Sequence, residues 1–313
     1  MKLVYFNDYR IGVIKDNRVV DVTKICGDIP HIDRRTLING LIARFEDYRE
    51  KLETAVASED EGQPLSTVTL RPPIPLPRNI DCMAVNYMED GTRDAPAPIN
   101  GFHKSPSAII GPCDTMVLDN IAATIFEGEA ELAVIIGKPA SHVPEKDAMN
   151  YVFGYTCFID GSARGVGPSN NFFFQMKSRD TYAPVGPCIV TADEIGNPQN
   201  LAVKLSVNDT VMQDFNTDDM AHSISRCIEW TSSIHALEPG DILATGTNHR
   251  GLSAFQDGDK VDLEIEGIGC LSINISDDLK RTWSRDTRLE HAEKGLEGPV
   301  SYTHLTLPTS DLV

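Results

Sequence analysis

The stretch FEGEAELAVIIGK (residues 126–138) sets three carboxylates two residues apart, directly before an apolar run. A strand turns alternate side chains to one face, so Glu127, Glu129 and Glu131 point the same way, and Ala133 and Ile135 continue that face. Like charges at this spacing repel, and burial would force protonation. A hard divalent cation removes both difficulties, because oxygen ligands on same-face positions can converge on one ion. The alternative is an edge strand whose charged outer face is solvated.

The segments around this strand tilt the reading toward a site. Asp160 ends the apolar run FGYTCFID and is followed by Gly161-Ser162, where a buried strand opens to a cleft. Lys177, in KSRDTYAPVGP (177–187), offers a cation to an anionic ligand. In DILATGTNHRG (241–251) a strand runs into Thr245-Gly246-Thr247, where glycine lets backbone N–H groups and hydroxyls approach a carboxylate closely.

The flanking pattern is mostly β. Short β-branched runs at 3–6, 10–14 and 18–22, separated by Asn-Asp and Asp-Asn turns, predict a small N-terminal β unit. Leu37, Leu41, Ile42, Phe45, Tyr48 and Leu52 recur at helical spacing and predict a helix within 34–57. The run RPPIPLPRN (71–79) reads as a connection between a domain over 1–72 and a larger one over 78–290. Strands follow at 80–85, 107–112, 130–137, 151–160, 188–191, 201–208, 241–247 and 260–275, with one helix predicted over 218–237, capped by Thr217 and striped by Met220, Ile224, Ile228, Thr231 and Ile234. The fold class expected is mixed α/β and β-dominated. The Ser/Thr/Leu-rich residues 300–313 read as a non-native or disordered tail.

Charge excludes some functions. The 313 residues carry 28 Lys+Arg and 46 Asp+Glu, a formal charge of −18, which argues against nucleic acid or an anionic membrane as partner. A metal and a few basic side chains can still make one cleft attractive to a small acid. The seven cysteines are widely spaced without a C-x-x-C, as in a reduced cytoplasmic protein, and MKLVYFNDYR lacks a secretory pattern.

Together these segments resemble the fumarylacetoacetate hydrolase family. The resemblance runs from about Asn86 to Ile275 and rests on E-x-E-L-A-V-x-I-G at Glu129–Gly137, FGYT…D…S-A-R at Phe153–Arg164, K-S-x-D-T-x-x-P-x-G-P at Lys177–Pro187 and G-D-I-L-A-T-G-T at Gly240–Thr247. It implies a β-sandwich or β-roll catalytic domain, usually a homodimer, with Mg²⁺ or Mn²⁺ at its centre. It further implies that Glu129, Glu131 and Asp160 hold the metal, that Lys177 faces a substrate oxo or enolate oxygen, and that Thr247, Gln213, Arg164 and Tyr87 border the substrate. Glu127 falls outside the pattern, as a group behind the metal ligands or a solvated one.

One departure bears on mechanism. Relatives of this kind typically carry N-Y-x-x-H-x-x-E, whose His–Glu pair activates water or relays a proton. Here Asp90 stands at the histidine position and Arg93 at the glutamate position, in Asn86–Arg93. Asp90, Glu89, His249 or His103 is left to serve as base. The activity expected is metal-dependent hydrolysis of a carbon–carbon bond in a small 2,4-dioxo (acylpyruvate-like) carboxylate, in aromatic catabolism. Isomerase or decarboxylase activity on muconate-type or oxaloacetate-like acids is the alternative, and a catalytically inactive binding module is the reading from another class.

Overall fold

The computed structural model describes residues 1–58, 62–167 and 173–296; the tail assigned to 300–313 lies outside them. Among the described residues the strands form two sheets. The larger sheet contains twelve strands, and its central order is Lys2–Phe6, Ala183–Thr191, Val152–Arg164, Ile125–Ile136, Ile242–Ala244, Ile80–Met83 and Gly101–Lys104. Most pairs are antiparallel, but Ile242–Ala244 runs parallel to Ile80–Met83. The second sheet holds Thr210–Asn216, Ala202–Val207, Lys260–Ile265, Gly269–Ser276 and Thr115–Val117.

Alternation along Ile125–Ile136 explains the layering. Leu132, Val134 and Ile136 meet Val203, Leu205, Leu263 and Leu271 of the second sheet, together with Ile224 and Ile228 of the helix Ile224–Ile234. Ala133 and Ile135 face the opposite way, into a core completed by Leu37, Leu41, Phe45 and Leu52. The strand is therefore covered on both faces, which its near-continuous apolar run demands. All of its twelve residues are buried, so a solvated charged face is ruled out.

The N-terminal strands extend this same sheet. Lys2 and Leu3 pair with Val190 and Ile189, so hydrogen bonding runs unbroken from the first strand into the centre. The helix expected over 34–57 forms as a 3₁₀ turn, Arg34–Thr36, then Leu37–Ala43 and Phe45–Ala57, and the six apolar positions that predicted it are all buried.

The helix expected over 218–237 begins later. Thr217–Asp219 form a 3₁₀ turn capped by Asn216, and the helix proper, Ile224–Ile234, starts at Ser223, whose hydroxyl accepts the Arg226 N–H at 3.1 Å. The reason is tertiary. The Ala221 N–H donates to Asn86 O at 3.0 Å and the His222 N–H to Asn86 Oδ1 at 2.9 Å, bonds that a helix through 220–222 would forgo. Ile224, Ile228 and Thr231 face the core as expected, whereas Ile234 is exposed. No helix among the described residues is long and apolar enough to cross a membrane.

Candidate active site

The site lies where two strands separate. Ile242–Ala244 pairs with Ala133–Ile135 only, so the glutamate half of Ile125–Ile136 has lost its strand neighbour on that side. Its edge is sealed instead by loops. The Gln213 side chain accepts the Ala130 N–H at 3.0 Å, and the Phe255 N–H donates to Phe126 O at 2.8 Å. Gly128 is needed between the glutamates, because a Cβ there would stand 2.3 Å from the Phe255 ring.

Strand register brings the acids together. Glu129 lies directly opposite Asp160 on the antiparallel neighbour. One oxygen from each of Glu129, Glu131 and Asp160 falls within 4.8 Å of the others, and all three residues are buried. Two like charges about 4 Å apart repel by about 4 kcal/mol at an effective dielectric near 20. That is a large part of the ~5–15 kcal/mol that holds a domain folded, so this cluster requires cations.

Three basic side chains contact it, and a fourth holds the neighbouring Glu127. Lys104 Nζ lies 2.5 Å from Asp160 Oδ1, and Lys177 Nζ lies 2.5 Å from Asp160 Oδ2 and 2.9 Å from Glu129 Oε1. Arg164 bonds Glu127 Oε2 at 2.9 Å and also reaches Glu129 Oε1. Arg288 Nη2 holds Glu127 Oε2 at 2.6 Å. Glu127 is thus buried and doubly ion-paired, not solvated.

The carboxyl groups differ in electrostatic state. Burial alone would raise Glu129, but Lys177, Arg164 and His249 outweigh it and hold its carboxyl well below the usual range. Glu131 is pushed the other way, first by burial and then by the charges of Asp160 and Glu129. Its Oε2 accepts the Gly246 N–H at 2.7 Å, while its buried Oε1 has no hydrogen-bond partner. An unpartnered carboxylate oxygen aligned with two other carboxylates fits a divalent cation, because all the donors are hard oxygens. Lys177 keeps its proton tightly: burial opposes the charge, but Asp160 and Glu129 raise it above its ordinary value.

Two of the expected substrate-side residues, Thr247 and Gln213, bond each other just beyond the strand Ile242–Ala244. Thr247 is buried, and its hydroxyl accepts from Gln213 Nε2 at 2.9 Å; the same amide reaches Asn248 O at 2.7 Å. Tyr87 is fully buried, packed edge-on against Phe215 and bridged to Met220, which anchors the 85–91 loop.

That loop supplies a pairing that no contiguous motif contains. His249 Nδ1 lies 2.6 Å from Glu89 Oε1, and the His249 N–H donates to Glu89 Oε2 at 2.9 Å. Burial would raise Glu89, yet the hydrogen bonds and charge of His249 hold its carboxyl below the usual range. An ionised carboxylate only accepts, so Nδ1 carries a proton, and in the neutral form of the ring Nε2 holds the lone pair. Both residues line a cavity of about 510 Å³ with Arg93, Arg250 and Arg288. Val85, Glu89 and Asp90 hold φ of 56°, 58° and 54°, a left-handed backbone that costs about 1–3 kcal/mol at each such residue.

The other two base candidates sit elsewhere. Asp90 is half exposed and pairs with Arg250 Nη1 at 3.0 Å. His103 faces away from the carboxylates and meets Asp81 and His235. Lys104 and Arg288 are parts of the site that sequence reading missed. A lysine in the four-residue strand Gly101–Lys104 and an arginine opening the short helix Arg288–Glu293 carry no local pattern that marks them.

Comparison with known proteins agrees with this architecture. Residues 80–276 match the model for the fumarylacetoacetate (FAA) hydrolase C-terminal domain. Maleylpyruvate hydrolase of Aquipseudomonas alcaligenes is 32% identical over 88% of this chain and 99% of its own length. An oxaloacetate tautomerase of Bacillus subtilis is 38% identical over 86% and 97%. The crystal structure of maleylpyruvate hydrolase from Sphingobium sp. SYK-6, in complex with manganese(II) and pyruvate, superposes with a TM-score of 0.80 at 35% identity, covering 88% of this chain and 99% of that one. The chain belongs to the fumarylacetoacetate hydrolase family, and its relatives are enzymes that act on small acids.

Proposed function

We propose that the chain is a divalent-metal-dependent hydrolase of a carbon–carbon bond in small 2,4-dioxo carboxylates of the acylpyruvate type. The observation that carries this reading is the Glu89–His249 pair beside the carboxylate cluster: a buried acid orienting an imidazole with a free nitrogen is the apparatus for deprotonating water. The likeness to two maleylpyruvate hydrolases supports it.

Glu129, Glu131 and Asp160 would hold Mg²⁺ or Mn²⁺, which when bound supplies Lewis-acid polarisation of the substrate's oxygens. Lys177, released from part of its ion pairing, offers its ammonium to the oxygen on which negative charge develops. Thr247, its hydroxyl fixed by Gln213, and Arg164 take the substrate carboxylate, while Tyr87 positions the loop that carries Glu89. His249 Nε2 takes a proton from water as the water oxygen bonds to the distal carbonyl carbon. The carbon–carbon bond then breaks, its electron pair stays with the three-carbon fragment as an enolate, and that carbon recovers the proton. The products are a carboxylate and pyruvate. Asp90, being paired with Arg250 at the surface, plays no part in this scheme.

The test is an assay of acylpyruvates with Mg²⁺ or Mn²⁺, in which equal amounts of pyruvate and carboxylic acid are expected. The 38% identity to an oxaloacetate tautomerase favours a second reading, in which the same pair shuttles a proton between carbon and enol oxygen. Enol–keto conversion of oxaloacetate without cleavage of any acylpyruvate would replace the first reading with the second.

A further inference from the structure

The strand pair Ile80–Met83 and Gly101–Lys104 carries groups of contrasting chemistry on its two faces. Lys104 reaches Asp160 in the carboxylate cluster. Its neighbour His103 lies opposite Asp81 in the register, and alternation sends both to the other face of the sheet. There they meet His235, the residue that ends the helix Ile224–Ile234.

We infer that Asp81, His103 and His235 form a second cation site, which takes a borderline-soft divalent metal of the Zn²⁺ or Co²⁺ type. One ligand atom from each lies within 4.8 Å of the other two. His235 Nε2 is 2.9 Å and His103 Nδ1 is 3.1 Å from the same oxygen, Asp81 Oδ1. Asp81 is only 6% exposed, and its buried Oδ2 has no hydrogen-bond partner.

The hydrogen bonding of His235 points the same way. Its Nδ1 faces Ala236 O at 3.1 Å, and a carbonyl only accepts, so the proton of the neutral ring sits on Nδ1. Nε2 faces a carboxylate oxygen, and whichever cation joins the two atoms, a ring proton or a metal taking its place, lies between them. Metal-bound imidazoles are oriented in this manner, with the second ring nitrogen donating to a backbone carbonyl. Two imidazoles and one carboxylate suit Zn²⁺, Co²⁺ or Ni²⁺ over Mg²⁺. An adjoining cavity of about 190 Å³, walled by Gly101, Trp230 and Ile234, leaves room for water as a further ligand.

The two metal sites would be separated by donor set and by the thickness of one sheet, which makes the test direct. The full chain is saturated with Mg²⁺ and titrated with Co²⁺, read by visible absorption and calorimetry. One Co²⁺ per chain with a nitrogen-ligand spectrum is expected, retained in Glu131→Ala and weakened about tenfold or more in His103→Ala and His235→Ala. His103 is largely exposed, so its removal leaves the fold intact, which circular dichroism verifies. The inference is overturned if no Co²⁺ binds beside Mg²⁺, as a simple imidazolium–carboxylate pair would give, or if the two histidine variants bind it as tightly as the parent.

Discussion

His249 Nδ1 stands 2.6 Å from Glu89 Oε1, joining residues 160 apart in the chain, and the backbone N–H of His249 binds the other oxygen of the same carboxylate. The imidazole is held at two points by one acid. If this pair handles the proton, His249→Gln should lower kcat for acylpyruvate cleavage by about 10²–10⁴-fold. Metal affinity should stay within a few-fold, because His249 is outside the carboxylate trio. Asp90→Asn should retain nearly full activity. Steady-state kinetics of the two variants checks both statements, and the reverse ranking would restore Asp90 as the base.

Glu131 has a buried oxygen without a partner and a carboxyl driven upward by burial and by its acidic neighbours. A raised folded value contributes stability below the ordinary carboxyl pKa of about 4.3, and that contribution is lost as pH rises to the folded value. At neutral pH the metal-free chain should therefore be weaker than the loaded one. Mn²⁺ should raise Tm, by about 2.7 kcal/mol of linkage at 100 Kd. Glu131→Gln should abolish that shift without lowering the Tm of the metal-free chain, as differential scanning calorimetry would show.

Glu127 behaves oppositely. Burial would raise its carboxyl, yet Arg164 and Arg288 outweigh burial and depress it. A depressed folded value contributes stability above pH ~4.3 that is lost as pH falls through the folded value. Arg288→Ala removes one of the two cations, so the Glu127 carboxyl rises toward its ordinary range. The midpoint of acid unfolding, followed by circular dichroism, should move to higher pH; an unchanged midpoint would mean Arg164 alone suffices.

Gly128 separates two glutamates where a Cβ would press into Phe255 at 2.3 Å and Ile159 at 2.7 Å. Gly128→Ala should cost about 1–3 kcal/mol from overpacking. It should also weaken metal binding, because any relief moves Glu127 and Glu129. Urea unfolding and metal titration of one variant test both effects.

How much of this is readable beforehand depends on the range of the contacts. The Ile125–Ile136 strand is legible because alternation and burial operate between neighbours in the chain. The three clustered carboxylates follow from it, since Asp160 closes an equally apolar run. The start of the helix Ile224–Ile234 is not legible, because Asn86, over a hundred residues away, draws off the backbone of Ala221 and His222. Lys104 and Arg288 are hidden for the same reason: each is an ordinary cation until register or packing delivers it to Asp160 or Glu127. The His–Glu partnership is invisible in the window Asn86–Arg93 because its histidine lies in a different loop.

The clustered acids Glu129, Glu131 and Asp160 are rooted in two paired strands, while Glu89 and His249 ride on loops fastened by Asp219, whose carboxylate binds the Asp90 N–H at 3.1 Å and the Asn248 side chain at 3.3 Å. Changing the former dismantles a sheet; changing the latter exchanges a fitting. Such a division would let the loops vary without disturbing the carboxylate cluster, on a scaffold shared with relatives named as hydrolases and as tautomerases.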